Sequence, residues 1–71
     1  MKELGRFINQ AKGKELTFEL DEQGVVHWQT IPSGETGYSI PFKTEQRAEA
    51  FVDRMANLGG FIKKKQEDAE T

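Results

Sequence analysis

The sequence predicts a two-layer α+β domain of order α-β-β-β-α: a three-stranded antiparallel meander packed against a long C-terminal helix, with a short N-terminal helix. Three observations carry that prediction. Apolar residues recur at spacings of three and four over residues 44–58, the period of one helix face. They alternate with polar residues over 15–20 and again over 26–30, the period of half-buried strands. Leu4, Phe7, Ile8 and Ala11 repeat the helical spacing near the start. A sheet with one apolar face needs helices to cover it, which gives the two layers.

Residues 2–12 are read as a short amphipathic helix, with Lys2, Arg6 and Lys12 toward solvent and Gly13 as its stop. Gly5 weakens it by about 1 kcal/mol relative to alanine. So short a helix persists only by docking its apolar stripe on the rest of the protein.

From Glu15 the period becomes two. Leu16, Phe18 and Leu20 point one way, and Glu15, Thr17, Glu19 and Asp21 point the other. The run Asp21-Glu22-Gln23-Gly24-Val25 reads as a hairpin with a three-residue loop and Gly24 in the left-handed position. That loop pairs Leu20 with Val26, Phe18 with Trp28 and Leu16 with Thr30 on the inner face. On the outer face it pairs Glu19 with His27 and Thr17 with Gln29. A four-residue loop would reverse every side chain of the second strand and turn Trp28 to water.

Residues 32–37 form a turn-rich loop. A third strand is expected at 38–42, burying Tyr38, Ile40 and Phe42, with Pro41 confining it to a sheet edge. Thr44 is the N-cap of the long helix, Glu45 complements its dipole, and Ala48, Phe51, Val52, Met55 and Leu58 form its apolar face. Gly59-Gly60 ends the helix and Phe61 folds back on its last turn. Phe61-Ile62 has room for a short fourth strand. Residues 1–65 form one domain, and 66–71 read as a polar tail.

The bulk composition restricts function. With 71 residues and no cysteine, the fold rests on its core alone, without disulfides or thiolate metal sites. No segment is apolar for long enough to span a bilayer and the N-terminus lacks a signal-peptide pattern, so a soluble, cytoplasmic protein without a membrane partner is expected. Ten basic and 12 acidic residues give a net charge of -2, without the basic excess of a phosphate-binding domain.

Catalysis is not expected. His27 is the sole histidine, and Ser33 and Ser39 lie in no nucleophile motif. His27 reads as a strand residue facing Glu19. The glutamates and aspartate around it lack the ligand spacing of a zinc or calcium site, and the loop at 33–37 has no P-loop lysine. No metal or other cofactor is expected.

The α-β-β-β-α order is similar to that of double-stranded RNA-binding domains. That family sets a lysine cluster at the start of its last helix, where this chain reads Lys43-Thr44-Glu45-Gln46-Arg47-Ala48. The similarity stops at topology. A nucleic-acid-binding alternative rests on Lys12, Lys14, Lys63, Lys64 and Lys65, should the chain ends meet.

The preferred reading is a non-enzymatic module that binds another protein through the acidic hairpin residues Glu15, Glu19 and Asp21, with His27 and Glu35 beside them. One form of it is an accessory or inhibitory factor set against a basic surface of a nucleic-acid-processing protein. Phage and mobile-element accessory proteins often have this size and composition. A structural homodimer, pairing residues 38–42 across a two-fold axis, is the third reading, and a monomer or weak homodimer is expected.

Overall fold

In the computed structural model, which describes residues 1–63, the elements run β1 (Lys2–Asn9), β2 (Lys14–Leu20), β3 (Val26–Ile31), β4 (Thr36–Tyr38), α1 (Glu45–Leu58) and β5 (Ile62–Lys63). The strands form one antiparallel sheet in the order β4-β3-β2-β1-β5. The expected three-stranded meander with an N-terminal helix is thus incorrect: five strands share one helix. The topological similarity to double-stranded RNA-binding domains goes with it. Lys64, Lys65 and the expected tail at 66–71 lie outside the described residues.

A bulge explains why β1 imitates a helix. Glu3 pairs with Glu19 and Gly5 with Phe18, so Leu4 is an extra residue without a partner in β2. In a regular strand, residues three apart face opposite sides. The bulge restores Leu4 to the side of Phe7, and both reach the core. Ile8 then faces the other side, while Ala11 and Gly13 fall in the β1–β2 turn. Gly13, at φ 65°, closes that turn, with its N–H donating to the Gln10 carbonyl at 3.2 Å.

The β2–β3 register is the expected one at every pair: Leu20 with Val26, Phe18 with Trp28, Leu16 with Thr30, Glu19 with His27 and Thr17 with Gln29. Gly24 sits at φ 87°, and a Cβ there would come within 2.4 Å of the Phe42 carbonyl oxygen. The Phe42 N–H donates to the Gly24 carbonyl at 2.8 Å, tying the hairpin tip to the chain entering α1.

One face of the sheet carries the core. Phe18 and Val26 are fully buried, and Phe7 meets Phe18 edge-on at 5.6 Å between ring centroids. From α1 come Ala48, Val52 and Ala56, one residue every four, so the helix approaches the sheet along a narrow stripe. Phe51 flanks it, half-buried against Trp28 and Phe42. Leu58, expected on the buried face, is 83% exposed, and the buried stripe of the helix ends at Ala56.

The third-strand expectation holds only in part: the strand lies at a sheet edge and Phe42 packs against the core. The strand occupies Thr36–Tyr38, and Tyr38 and Ile40 are about three-quarters exposed instead of buried. The physical reason is Trp28. Its partner in the ladder is Gly37, and the indole fills the space where a side chain there would project. Tyr38, one residue on, must face the opposite side.

Both helix ends match expectation. Thr44 Oγ1 accepts the Arg47 N–H at 3.1 Å. Gly60 is left-handed at φ 77°, and the Phe61 and Gly60 N–H groups close on the carbonyls of Ala56 and Asn57.

Gly37→Ala should cost about 1–3 kcal/mol through overpacking against the indole, since the new Cβ would lie 2.5 Å from Trp28. Phe18→Ala should cost about 3–5 kcal/mol as a cavity in the centre of the core. Urea unfolding followed by Trp28 fluorescence reads both. A Gly37→Ala variant as stable as the parent would show that the indole swings aside freely.

Candidate functional site: the open face of the sheet

The helix covers one face of the sheet, and among the described residues no element covers the other. Pairing places the open-face side chains in three rows. Ile62, Ile8, Glu15 and Ile31 form the first. Arg6, Thr17, Gln29 and Thr36 form the second, and Glu3, Glu19, His27 and Tyr38 the third. A β-strand alternates its side chains, so each residue here is the consequence of a core residue beside it: Thr17 and Glu19 face out because Leu16 and Phe18 face in.

The face is neither uniformly polar nor uniformly apolar. Ile31, Ile62 and Tyr38 are 44%, 65% and 75% exposed. Glu15 sits half-buried between Ile8 and Ile31. Arg6 is engaged by Glu3, Nε to Oε2 at 3.0 Å. Glu15 and Glu19 have no ion-pair partner among the described residues. A shallow groove of about 290 Å³ runs between the second and third rows at the β4 end, lined by Thr17, Glu19, His27, Gln29, Thr36 and Tyr38 with parts of Trp28 and Gly37.

The five acidic-face candidates divide. Glu15 and Glu19 project from the open face on β2, and His27 stands beside Glu19 on β3. Asp21 belongs to the hairpin turn. Its Oδ1 accepts the N–H groups of Gln23 at 2.8 Å and Val25 at 3.0 Å, the Asx geometry of a tight turn. Its Oδ2 lies 2.8 Å from His27 Nε2. An ionised carboxylate only accepts, so the proton of that bond is on Nε2. The His27 ring first, then the Val25 and Gln23 amides, hold the Asp21 carboxyl below the usual aspartate range. Glu35 lies in the β3–β4 loop, near the end of β3 that pairs with Glu15. Asp21 is at the other end of β2, roughly 20 Å from Glu15 at the rise of an extended strand.

The basic candidates are distributed differently. Lys12 lies in the β1–β2 turn and Lys14 opens β2 opposite Asn9, while Lys63 lies across β1 opposite Phe7. Phe7 and Asn9 are buried on the helix side, so Lys14 and Lys63 fringe that side and not the open face. Lys2 is engaged by Glu45 at the start of α1, which raises the lysine's pKa and lowers the glutamate's.

The serines have structural partners. Ser39 Oγ accepts the Val26 N–H at 3.0 Å and donates to the Ile40 carbonyl at 2.8 Å, and Ser33 Oγ is bonded to Thr30 Oγ1. His27 Nε2 is bonded to Asp21 and not to either serine. Among the described residues no three metal-ligating side chains cluster. No described helix is long and apolar enough to cross a membrane.

Sequence reasoning missed the apolar part of this face. The helical spacing places Ile8 on a buried stripe, and the alternation over 38–42 places Tyr38 in the core. The signal lay in the period of two from Gly5 onward, masked because the inward residue at position 9 is polar. Asn9 is buried there with its needs met, Nδ2 donating to the Gly59 carbonyl at 3.2 Å and Oδ1 accepting from the Lys12 N–H at 3.1 Å.

No family model, curated protein or solved structure matches the chain. The class of molecule is therefore defined by its own geometry: a small α+β protein with a one-sided, five-stranded sheet.

Asp21 supplies a pH test. Its folded pKa is depressed, so its contribution to stability is complete above the unfolded value of about 4. It is lost as pH falls through the depressed folded value. Asp21→Asn should remove that acid-side loss, lower stability at neutral pH and leave the pH 6 and pH 3 urea midpoints closer together than in the parent. An unchanged gap between the two midpoints would assign the acid sensitivity elsewhere.

Proposed function

We propose that this protein is a non-enzymatic binding module whose open sheet face docks on another protein. The observation that carries the reading is the coverage of one face among the described residues: α1 packs on one side, leaving Ile31, Ile62 and Tyr38 exposed on the other beside Glu15 and Glu19, which have no ion-pair partner among the described residues. Exposed apolar side chains rimmed by charge are the usual composition of a protein interface, and their grouping on a rigid sheet keeps the entropic cost of docking low. The acidic sign favours a basic partner surface. A groove that otherwise holds nucleic acid is such a surface, which makes an accessory or inhibitory factor of a nucleic-acid-processing protein the specific form of the proposal.

Asp21 is excluded from the recognition set, because its carboxylate organises the hairpin. The test therefore uses Glu15→Lys with Glu19→Lys, two positions that make no hydrogen bond within the hairpin turn. Placing like charges against a basic surface costs several kcal/mol. The double variant should keep the parent's circular dichroism and urea midpoint while its affinity for the protein recovered by the parent from native lysate falls more than roughly tenfold. Equal recovery of the same protein by the folded variant would remove the acidic face from recognition.

A further inference from the structure

We propose that the groove beside Tyr38 seats an arginine side chain of the protein partner, so that one cationic residue anchors the docked face. This rests on the protein-binding reading and adds the chemistry of the contact. Three features on different strands converge there. Glu19 on β2 supplies an exposed carboxylate without an ion-pair partner among the described residues. Tyr38 on β4, a residue 75% exposed, supplies a ring tilted 37° to the His27 ring at a centroid distance of 6.3 Å. Thr17, Gln29 and Thr36 form the neighbouring row along the groove and present hydroxyl and amide groups to it, while His27 stands between Glu19 and Tyr38.

A planar guanidinium uses all three. It lies over an aromatic face, where the ring quadrupole attracts a cation. Its paired N–H groups match a carboxylate in a fork, and its remaining donors reach amide or hydroxyl oxygens. An ammonium meets the carboxylate as a point charge but does not stack in the same way. The groove, about 290 Å³ and open to solvent, admits a long side chain from a partner lying across the sheet. The face's own arginine does not compete, since Arg6 is held by Glu3. His27 forms one wall and is already oriented by Asp21, which leaves the Glu19 carboxylate to the incoming cation. An anionic ligand such as a nucleic-acid backbone would meet Glu19 with the wrong sign.

The test titrates the ¹⁵N-labelled full chain with acetyl-Gly-Arg-Gly-amide, following amide shifts. Saturable shifts are expected at Thr17, Glu19, Gln29 and Tyr38, weaker for the lysine analogue and absent for the glutamine analogue. Glu19→Gln should weaken binding roughly tenfold by removing the charge-assisted bonds, and Tyr38→Leu should weaken it several-fold by removing the ring face. Equal shifts with the lysine or glutamine analogue, or shifts that survive both substitutions, overturn the arginine site. So do shifts at these residues with a ten-residue oligothymidylate and not with the peptide, an outcome that assigns the groove to nucleic acid. The two proposals fail separately: loss of lysate capture in Glu15→Lys/Glu19→Lys without an arginine response sinks only the anchor.

Discussion

The pairing of β2 with β3 is the constraint on which the rest of this structure depends. The three-residue loop sets Phe18 opposite Trp28 and Leu20 opposite Val26, so the large apolar side chains of both strands fall on one face. A slip of one residue would put Trp28 and Val26 in water and bring His27 and Gln29 into the core. Several local devices hold the register. Asp21 accepts two turn amides, Gly24 takes a conformation open to glycine, and the Phe42 backbone closes on Gly24 from outside. Once the register stands, Trp28 dictates a glycine at position 37, and through it the outward direction of Tyr38.

Size determines the second layer. One 14-residue helix covers one side of a five-stranded sheet and cannot reach the other. Its contact stripe of Ala48, Val52 and Ala56 is small, which brings the helix axis close to the sheet, and Phe51 and Met55, four residues apart, pack along one flank of it. The far end of the helix is fastened by Asn9, a buried amide that serves both the β1–β2 turn and the carbonyl of Gly59. A polar residue inside a core this small is tolerated because both of its groups are bonded.

The same arrangement separates two kinds of acidic residue that look alike along the chain. Asp21 and Glu45 are bound to partners within the protein, and their carboxyl pKa values are held down by them. Glu15 and Glu19 stand on the open face, one between isoleucines and one beside a tyrosine and a histidine, with no cation of their own among the described residues. A carboxylate without an internal partner is held by water until a cationic surface arrives, and then becomes an attraction. The exposed isoleucines and Tyr38 give such an encounter apolar area to bury, so the sheet that builds the core also builds the docking surface on its reverse.

Everything decided by short-range pattern was legible in the sequence by itself. The hairpin loop and its register, the N-cap at Thr44, the left-handed glycine after α1 and the face of the helix around Ala48 and Val52 all follow from residues within a few positions of one another. Glu19 and His27 could be placed side by side for the same reason. Only the tertiary structure decided the rest, because each remaining feature depends on a partner distant in the chain. Residues 2–9 have a helical apolar spacing, and they become a strand because β2 and β5 offer two edges to pair with and a bulge at Leu4 corrects the phase. Tyr38 reads as core until Trp28 claims the space at Gly37. The apolar part of the open face was hidden for the same cause: Ile8, Ile62 and Tyr38 join Glu15, Glu19 and His27 only through pairings between strands distant in the chain.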